Sequence, residues 1–196
     1  MDRDALVDLL LETATLKRMP RSGWQMRGVP WVESVADHSF GVVFVALALA
    51  DALEEEGRGR LPRTGLDVKK VLVMALLHDL AEVRLTDLPA SATRLISEEV
   101  KSRAEERVID DLLAPLRSTG RWKTLWQEFK DCASPESRLV SDADKLEMMV
   151  QCLRYEQAGS HGLDEFWEAM DQRVWHYPLC SELYACLRGL RPEWAR

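Results

Sequence analysis

The sequence predicts an all-α fold, and two observations carry that prediction. Apolar residues recur at helical spacing, near 3.6 residues, along almost the whole chain, and no segment sustains the period-two alternation of β-branched residues that a half-buried strand needs. An apolar share of 46% and a charged share of 30% belong to a globular protein with a core and a solvated surface.

A first helix is expected from about Asp4 to Arg18, with Leu6, Leu9, Leu10 and Leu16 apolar, ending before Pro20. From Pro20 to Pro30 the chain carries two Pro and two Gly and should form a structured loop. A second helix is expected from about Ser34 to Glu55, broken off by Gly57, Gly59, Pro62 and Gly65. A third runs from about Leu66 to Val83, and Asp87 to Pro89 marks the next turn. From about Ala92 to Leu116 a long amphipathic helix, rich in Glu, Lys and Arg, reads as a solvated face laced by i,i+4 pairs. Shorter helices follow over Trp122–Asp131, Pro135–Tyr155, Leu163–Val174 and Leu179–Leu190. Without repeats, low-complexity tracts or a linker, the 196 residues suit a single domain.

Charge and composition narrow the function. A net charge of −7 argues against a nucleic-acid binder, which needs a basic surface to neutralise many phosphates. An anionic substrate would need a local basic patch, and Lys17, Arg18, Arg21 and Arg27 supply one with no acid among them. The apolar run from Val42 to Ala50 is broken by Asp51, well short of the roughly 20 residues that cross a bilayer. Met1 to Asp8 has no basic stretch leading into an apolar one, so a cytoplasmic protein is expected, with no membrane partner. The four cysteines, Cys132, Cys152, Cys180 and Cys186, match neither a CxxC pair nor a disulfide scaffold and are expected to be reduced packing residues.

Histidine is scarce, four in all, so its placement is informative. In the third helix Val68, Val71, Leu72 and Ala75 form an apolar stripe whose continuation lands on His78, Asp79 and Glu82. Burying such groups without partners costs several kcal/mol, so they are normally paired, hydrogen-bonded or bound to metal. In the second helix His38 lies on the face of Val35, Val42, Ala46, Leu49 and Leu53, where a lone histidine is usually a satisfied core residue. Asp144 falls between Val140 and Met148 on an i,i+4 row, where a lone aspartate is usually a cap or a salt-bridge partner. Together the balance changes, because three helices direct metal-capable groups inward. Two imidazoles and two carboxylates form a mixed N/O set suited to one divalent metal ion, Mn, Co, Fe, Zn or Mg, with open positions for water and substrate.

The pattern H…HD…D, as His38, His78-Asp79 and Asp144, resembles the signature of the HD phosphohydrolases. The segments Leu16–Trp24, Glu33–His38, His78–Glu82 and Asp87–Pro89 are similar to the 5′-deoxynucleotidase branch of that family, over roughly residues 5 to 157. The resemblance implies an all-helical, usually homodimeric enzyme that cleaves nucleoside 5′-monophosphates, often 2′-deoxy forms, to nucleoside and phosphate. It implies a metal-site core over about residues 16–157, with the C-terminal helices spanning 158–196. By motif position His38, His78, Asp79 and Asp144 are metal ligands, Glu82 is the catalytic acid/base, and Asp87, a second catalytic residue, forms with Leu88 the substrate-contacting loop. Arg21 and Trp24 match a basic-aromatic pair that orients phosphate and nucleoside. For Glu82 the bland alternative is an i,i+4 partner of a cation, and for Trp24 a loop-anchoring core residue. The one departure is Thr86, where relatives commonly carry Gly. Lys145 is expected at the surface or behind the ligands, and His161 and His176 outside the site.

Glu82 is expected one helical turn after His78, placed to handle the proton of water or of the leaving 5′-oxygen. Arg21 would grip phosphate through its planar fork. A di-iron oxygenase on the same helices would need further histidines, and none occurs from Leu80 to Ala143. A non-catalytic binding module and a hydrolase of another phosphate ester are the remaining alternatives.

Overall fold

A computed structural model describes residues 3–56, 65–116 and 119–195. In chain order the helices are α1 (Arg3–Thr13), a 3-10 turn (Ala14–Arg18), α2 (Ser22–Met26), α3 (Val35–Glu56), α4 (Val68–Leu77), α5 (Glu82–Leu85) and α6 (Ala90–Thr93). They continue with α7 (Glu98–Leu113), α8 (Thr119–Lys130), α9 (Pro135–Gln157), α10 (Asp164–Asp171), α11 (Pro178–Gly189) and a last 3-10 turn (Glu193–Ala195). No strand occurs among the described residues, and one isolated antiparallel bridge joins Pro20 to Ser34.

Helix starts follow the sequence chemistry closely. Ser34 and Asp37 form a reciprocal cap at α3: Asp37 N donates to Ser34 Oγ (3.1 Å) while Ser34 N and Oγ donate to Asp37 Oδ2 (2.9 and 2.7 Å). Ser134 and Ser137 do the same at α9, with Pro135 in the first turn. Asp67 caps α4 by accepting from Lys70 N.

Three expected boundaries are corrected. The first helix tightens into a 3-10 turn from Ala14. The third ends at Leu77, not Val83. The long helix from Ala92 to Leu116 is two, because Ser97 accepts from Val100 N and starts α7 afresh after α6. The expected break at Gly57, Gly59 and Pro62 lies outside the described residues.

The interior has two apolar clusters. The larger joins α3, α4 and α9 through Val42, Ala46, Leu49, Val71, Met74, Leu139, Val140 and Met149, and α10 and α11 add Trp167, Cys180 and Tyr184. The smaller gathers Leu9, Leu77, Leu80, Val83, Ile109, Leu112 and Trp126 from α1, α4, α5, α7, α8 and the turn after α4. That turn carries His78 and Asp79, so the seam between the clusters positions the site. By length and composition α3 would suit a bilayer, more so than its broken apolar run suggests. In the fold it is a core helix whose opposite face leaves Phe40 and Phe44 exposed.

The C-terminal helices are tied down by polar groups. Buried Asp142 accepts from His176 N (2.9 Å), Tyr177 N (3.0 Å) and Arg173 Nη2 (3.2 Å), and Glu156 pairs with Arg191.

Candidate metal centre

The cap at Ser34 fixes the phase of α3, and His38, Val42 and Ala46 then fall on one row, each fully buried. On α9, Asp144 follows Val140 by one turn and faces the same interior. After Leu77 the chain winds in i→i−3 bonds, Leu80 N to Leu77 O (3.0 Å), Glu82 N to Asp79 O (3.0 Å) and Val83 N to Leu80 O (3.2 Å). Three residues per turn bring i and i+3 into line. Glu82 follows Asp79 by one such turn.

Four donor atoms converge. His38 Nε2 lies 3.4 Å from His78 Nε2, 3.6 Å from Asp79 Oδ2 and 3.3 Å from Asp144 Oδ1, and His78 Nε2 lies 3.1 Å from Asp79 Oδ2. Donors that share one ion at about 2.0–2.2 Å stand about 3–3.6 Å apart, so the spacing fits a metal. The tautomers fit as well. His38 Nδ1 donates to Glu147 Oε2 (2.5 Å) and His78 Nδ1 to the Ala75 carbonyl (2.8 Å), so both rings turn Nε2 toward the carboxylates. Two imidazole Nε2 atoms facing each other across 3.4 Å need a proton or a metal ion on at least one of them. His38, His78 and Asp144 can hold such an ion, and Asp79 stands beside them.

The electrostatics describe a strongly negative pocket. His38 is pushed up to about 10: burial opposes its charge, but hydrogen bonds to Asp144 and Glu147 outweigh it. The potential that holds a proton on Nε2 is the one that would hold a metal there. Burial would raise Asp79, yet His78, Arg21 and His38 hold it below the usual carboxylate range. Asp144 is likewise held low, against burial, by Lys145, whose Nζ lies 2.9 Å from Oδ2, and by His38. Glu82 goes the other way, to about 9, because it is buried beside Asp79 and Asp87. Its Oε2 is buried without a hydrogen-bond partner, which marks a place for a polar atom from outside the protein.

Arg21 and Asp87 close one side. Arg21 Nη1 lies 3.3 Å from Asp79 Oδ2 and 3.4 Å from Asp87 Oδ1, and Asp87 Oδ2 accepts from Ser22 N (2.5 Å) and Ser22 Oγ (2.9 Å). Asp87 thus clamps the loop that presents Arg21. Leu88 lines a small cavity together with Glu82, Leu85, Thr86, Lys101 and Glu105.

Trp24 is placed differently from the expectation that it faces the nucleoside. It is 2% exposed, packs on Tyr155 and Phe166, and donates Nε1–H to Glu33 (2.8 Å). Its aromatic bulk anchors the loop in the core, the alternative open in the sequence. His161 stacks on Trp194 and His176 binds Asp142, both away from the ligands as expected. Lys145 reaches back to Asp144.

Two neighbours were not among the expected site residues. Glu147 and Glu33 form a second acidic group around His38. Glu147 lies three residues after Asp144 on the inward side of α9, a spacing that an ordinary solvated helix face shares. Glu33 belongs to an irregular segment where periodicity says nothing.

An all-helical scaffold that gathers two histidines and two aspartates from α3, α9 and the turn after α4 has the donor set of a metal-dependent hydrolase. The chain belongs to the HD-domain family, whose model matches residues 13–176. It is similar to a 5′-deoxynucleotidase of Danio rerio, 30% identical over 98% of this chain and 90% of that protein. It also resembles a human 5′-deoxynucleotidase, 31% identical over 78% of this chain and 69% of that protein. Among solved structures, a Pyrococcus horikoshii protein is 42% identical with a TM-score of 0.75, covering 94% of this chain and 97% of its own.

Proposed function

We propose that this protein is a phosphomonoesterase that hydrolyses nucleoside 5′-monophosphates, 2′-deoxy forms among them, to nucleoside and phosphate with one divalent metal ion. The observation that carries the reading is the convergence of His38, His78, Asp79 and Asp144 beside the partnerless Oε2 of Glu82. The 5′-deoxynucleotidase names of the relatives support the substrate class.

His38, His78, Asp79 and Asp144 would hold the ion. When bound, such an ion lowers the pKa of a water and polarises a phosphoryl oxygen. Arg21 makes both its ion pairs through Nη1, so Nη2 and Nε are the donors a phosphate would take. Lys145 adds positive charge on the Asp144 side. In the metal-free protein burial, with Asp79 and Asp87 beside it, pushes Glu82 up to about 9, so there it holds its proton at neutral pH. It is suited to give that proton to the leaving 5′-oxygen. Asp87 positions Arg21 through Ser22, and Leu88 shapes the wall beside Glu82.

Phosphate release from a panel of ribo- and deoxyribonucleoside monophosphates, measured with Mn, Co, Mg, Fe or Zn, tests the reading. Turnover of at least one deoxynucleotide is expected, and silence across the panel with every metal would overturn it.

The same reading makes the enzyme a homodimer. On α3, Phe40, Phe44 and Leu47 are 74%, 64% and 36% exposed at i, i+4 and i+7, an apolar stripe on a core helix. A two-fold partner sets this stripe against itself, so each copy supplies its own complement. Sedimentation equilibrium is expected to give twice the chain mass for the parent and the monomer mass for Phe40→Lys/Phe44→Lys. A monomeric parent would overturn the assignment.

A further inference from the structure

Glu147 reaches His38 only because residue 41 has no side chain. Its carboxylate accepts from His38 Nδ1 at 2.5 Å, with both side chains at most 10% exposed. Gly41 lies on α3, three residues after His38, and faces Glu147 across the gap to α9. A Cβ at position 41 would sit 2.5 Å from Glu147 Oε1, 2.7 Å from its Cγ and 2.8 Å from its Cδ. These distances are far inside van der Waals contact, and the three nearest atoms all belong to one flexible side chain. A methyl group at 41 would therefore expel the carboxylate, not the helix.

Backbone conformation does not call for glycine at this place. Gly41 is interior to α3 and is not among the glycines with positive φ, so its backbone suits any residue. Glycine in a helix interior is about 1 kcal/mol worse than alanine, so the chain gives up helix stability here. What the empty position leaves is room for one carboxylate against one imidazole nitrogen.

We propose that Gly41 and Glu147 act as a positioning pair that sets the affinity of the centre for its metal, which rests on the reading of His38 as a ligand. Glu147 holds the Nδ1 proton and stops the ring from turning, so Nε2 keeps its lone pair aimed at Asp79, Asp144 and His78. The negative charge of Glu147 also strengthens the imidazole as a donor. Gly41 is the steric condition for that contact and touches none of the four ligands' donor atoms.

Titration calorimetry with Co²⁺, together with the visible absorption of the Co²⁺-loaded protein, tests the pair on Gly41→Ala, Glu147→Ala and Glu147→Gln. Gly41→Ala and Glu147→Ala are expected to weaken Co²⁺ binding about 10- to 100-fold and to change the absorption bands. In Glu147→Gln the amide oxygen can still accept from Nδ1, so part of that loss should be recovered. Gly41→Ala should still unfold in one cooperative transition in chelator, which separates loss of positioning from loss of fold. If that variant does not fold, the order Glu147→Ala weaker than Glu147→Gln weaker than parent decides. Tight, spectrally unchanged Co²⁺ binding in both Gly41→Ala and Glu147→Ala overturns the pair while leaving the metal reading intact. Failure of the parent to bind any metal overturns the metal reading and the pair with it.

Discussion

Thr86 is a β-branched residue at φ 63°, ψ 165°, a backbone region that is almost the property of glycine and costs about 1–3 kcal/mol for other residues. It directly precedes Asp87, whose two oxygens hold Ser22 and Arg21. The loop thus keeps a glycine-type turn with a threonine in it, and the departure noted in the sequence becomes stored strain at the edge of the site. Thr86→Gly is expected to raise stability by about 1 kcal/mol after the entropy cost of glycine in the unfolded chain, read from the urea midpoint. Thr86→Ala keeps the Cβ and should gain much less; an equal gain from both would refute strain as the cause. Glu82 makes a second test at this scale. Glu82→Gln removes the transferable proton and no ligand, so it should retain stoichiometric metal by elemental analysis while losing about 10²–10⁴-fold in kcat. Normal turnover in that variant would remove Glu82 from the mechanism.

At the scale of elements, the candidate ligands were legible because each extends an apolar row, and polar groups on such rows need a reason. Glu147 was not, since a glutamate one turn beyond an aspartate also describes an ordinary solvated helix face, and only the approach of α3 at Gly41 distinguishes the two. Nor was the end of α4. Leu77 to Ala81 contains no Gly or Pro, so local chemistry permits the α-helix to continue, and the tightening into i→i−3 bonds accompanies the packing of Leu80 and Val83 into the smaller cluster. The Ser97 cap that splits the expected long helix was readable, as a serine followed by two glutamates, but the helical spacing of the charged run after it was extended back over it. Caps also fix the phase of the ligand-bearing helices. Ser134→Ala removes the side-chain acceptor for Ser137 N at the head of α9, the helix that carries Asp144, Glu147 and buried Asp142. A loss of about 1–2 kcal/mol in urea unfolding is expected. Metal affinity should change far less, because Asp144 lies more than two turns inside the helix; a collapse in affinity would mean that the cap sets the ligand itself.

Over the whole molecule, the centre is a site where the fold holds like charges together. Asp79, Asp144, Glu147 and Glu33 surround two buried histidines, balanced by Arg21, Lys145 and the proton that His38 retains. Glu33 itself is pushed up to about 7 by burial and by Glu147. A divalent ion binds this assembled cluster and not the unfolded chain, so it stabilises the fold by mass action, about 2.7 kcal/mol at a hundredfold excess over Kd. For a chain of this length that corresponds to a rise of about 5–10 °C in Tm. Mn²⁺ or Co²⁺ is expected to produce such a rise in differential scanning calorimetry, chelator to reverse it, and Asp144→Asn to lose most of it. The pH dependence has a definite sign. His38 has a folded pKa near 10, above its unfolded value, so its proton stabilises the metal-free protein fully below about pH 6.5 and progressively less as pH rises toward 10. A metal ion on Nε2 must displace that proton, so the metal-induced rise in Tm should be small at pH 6 and larger at pH 8.5. A rise that shrinks with increasing pH, measured below the onset of metal hydroxide precipitation, would show that His38 Nε2 is not where the metal binds.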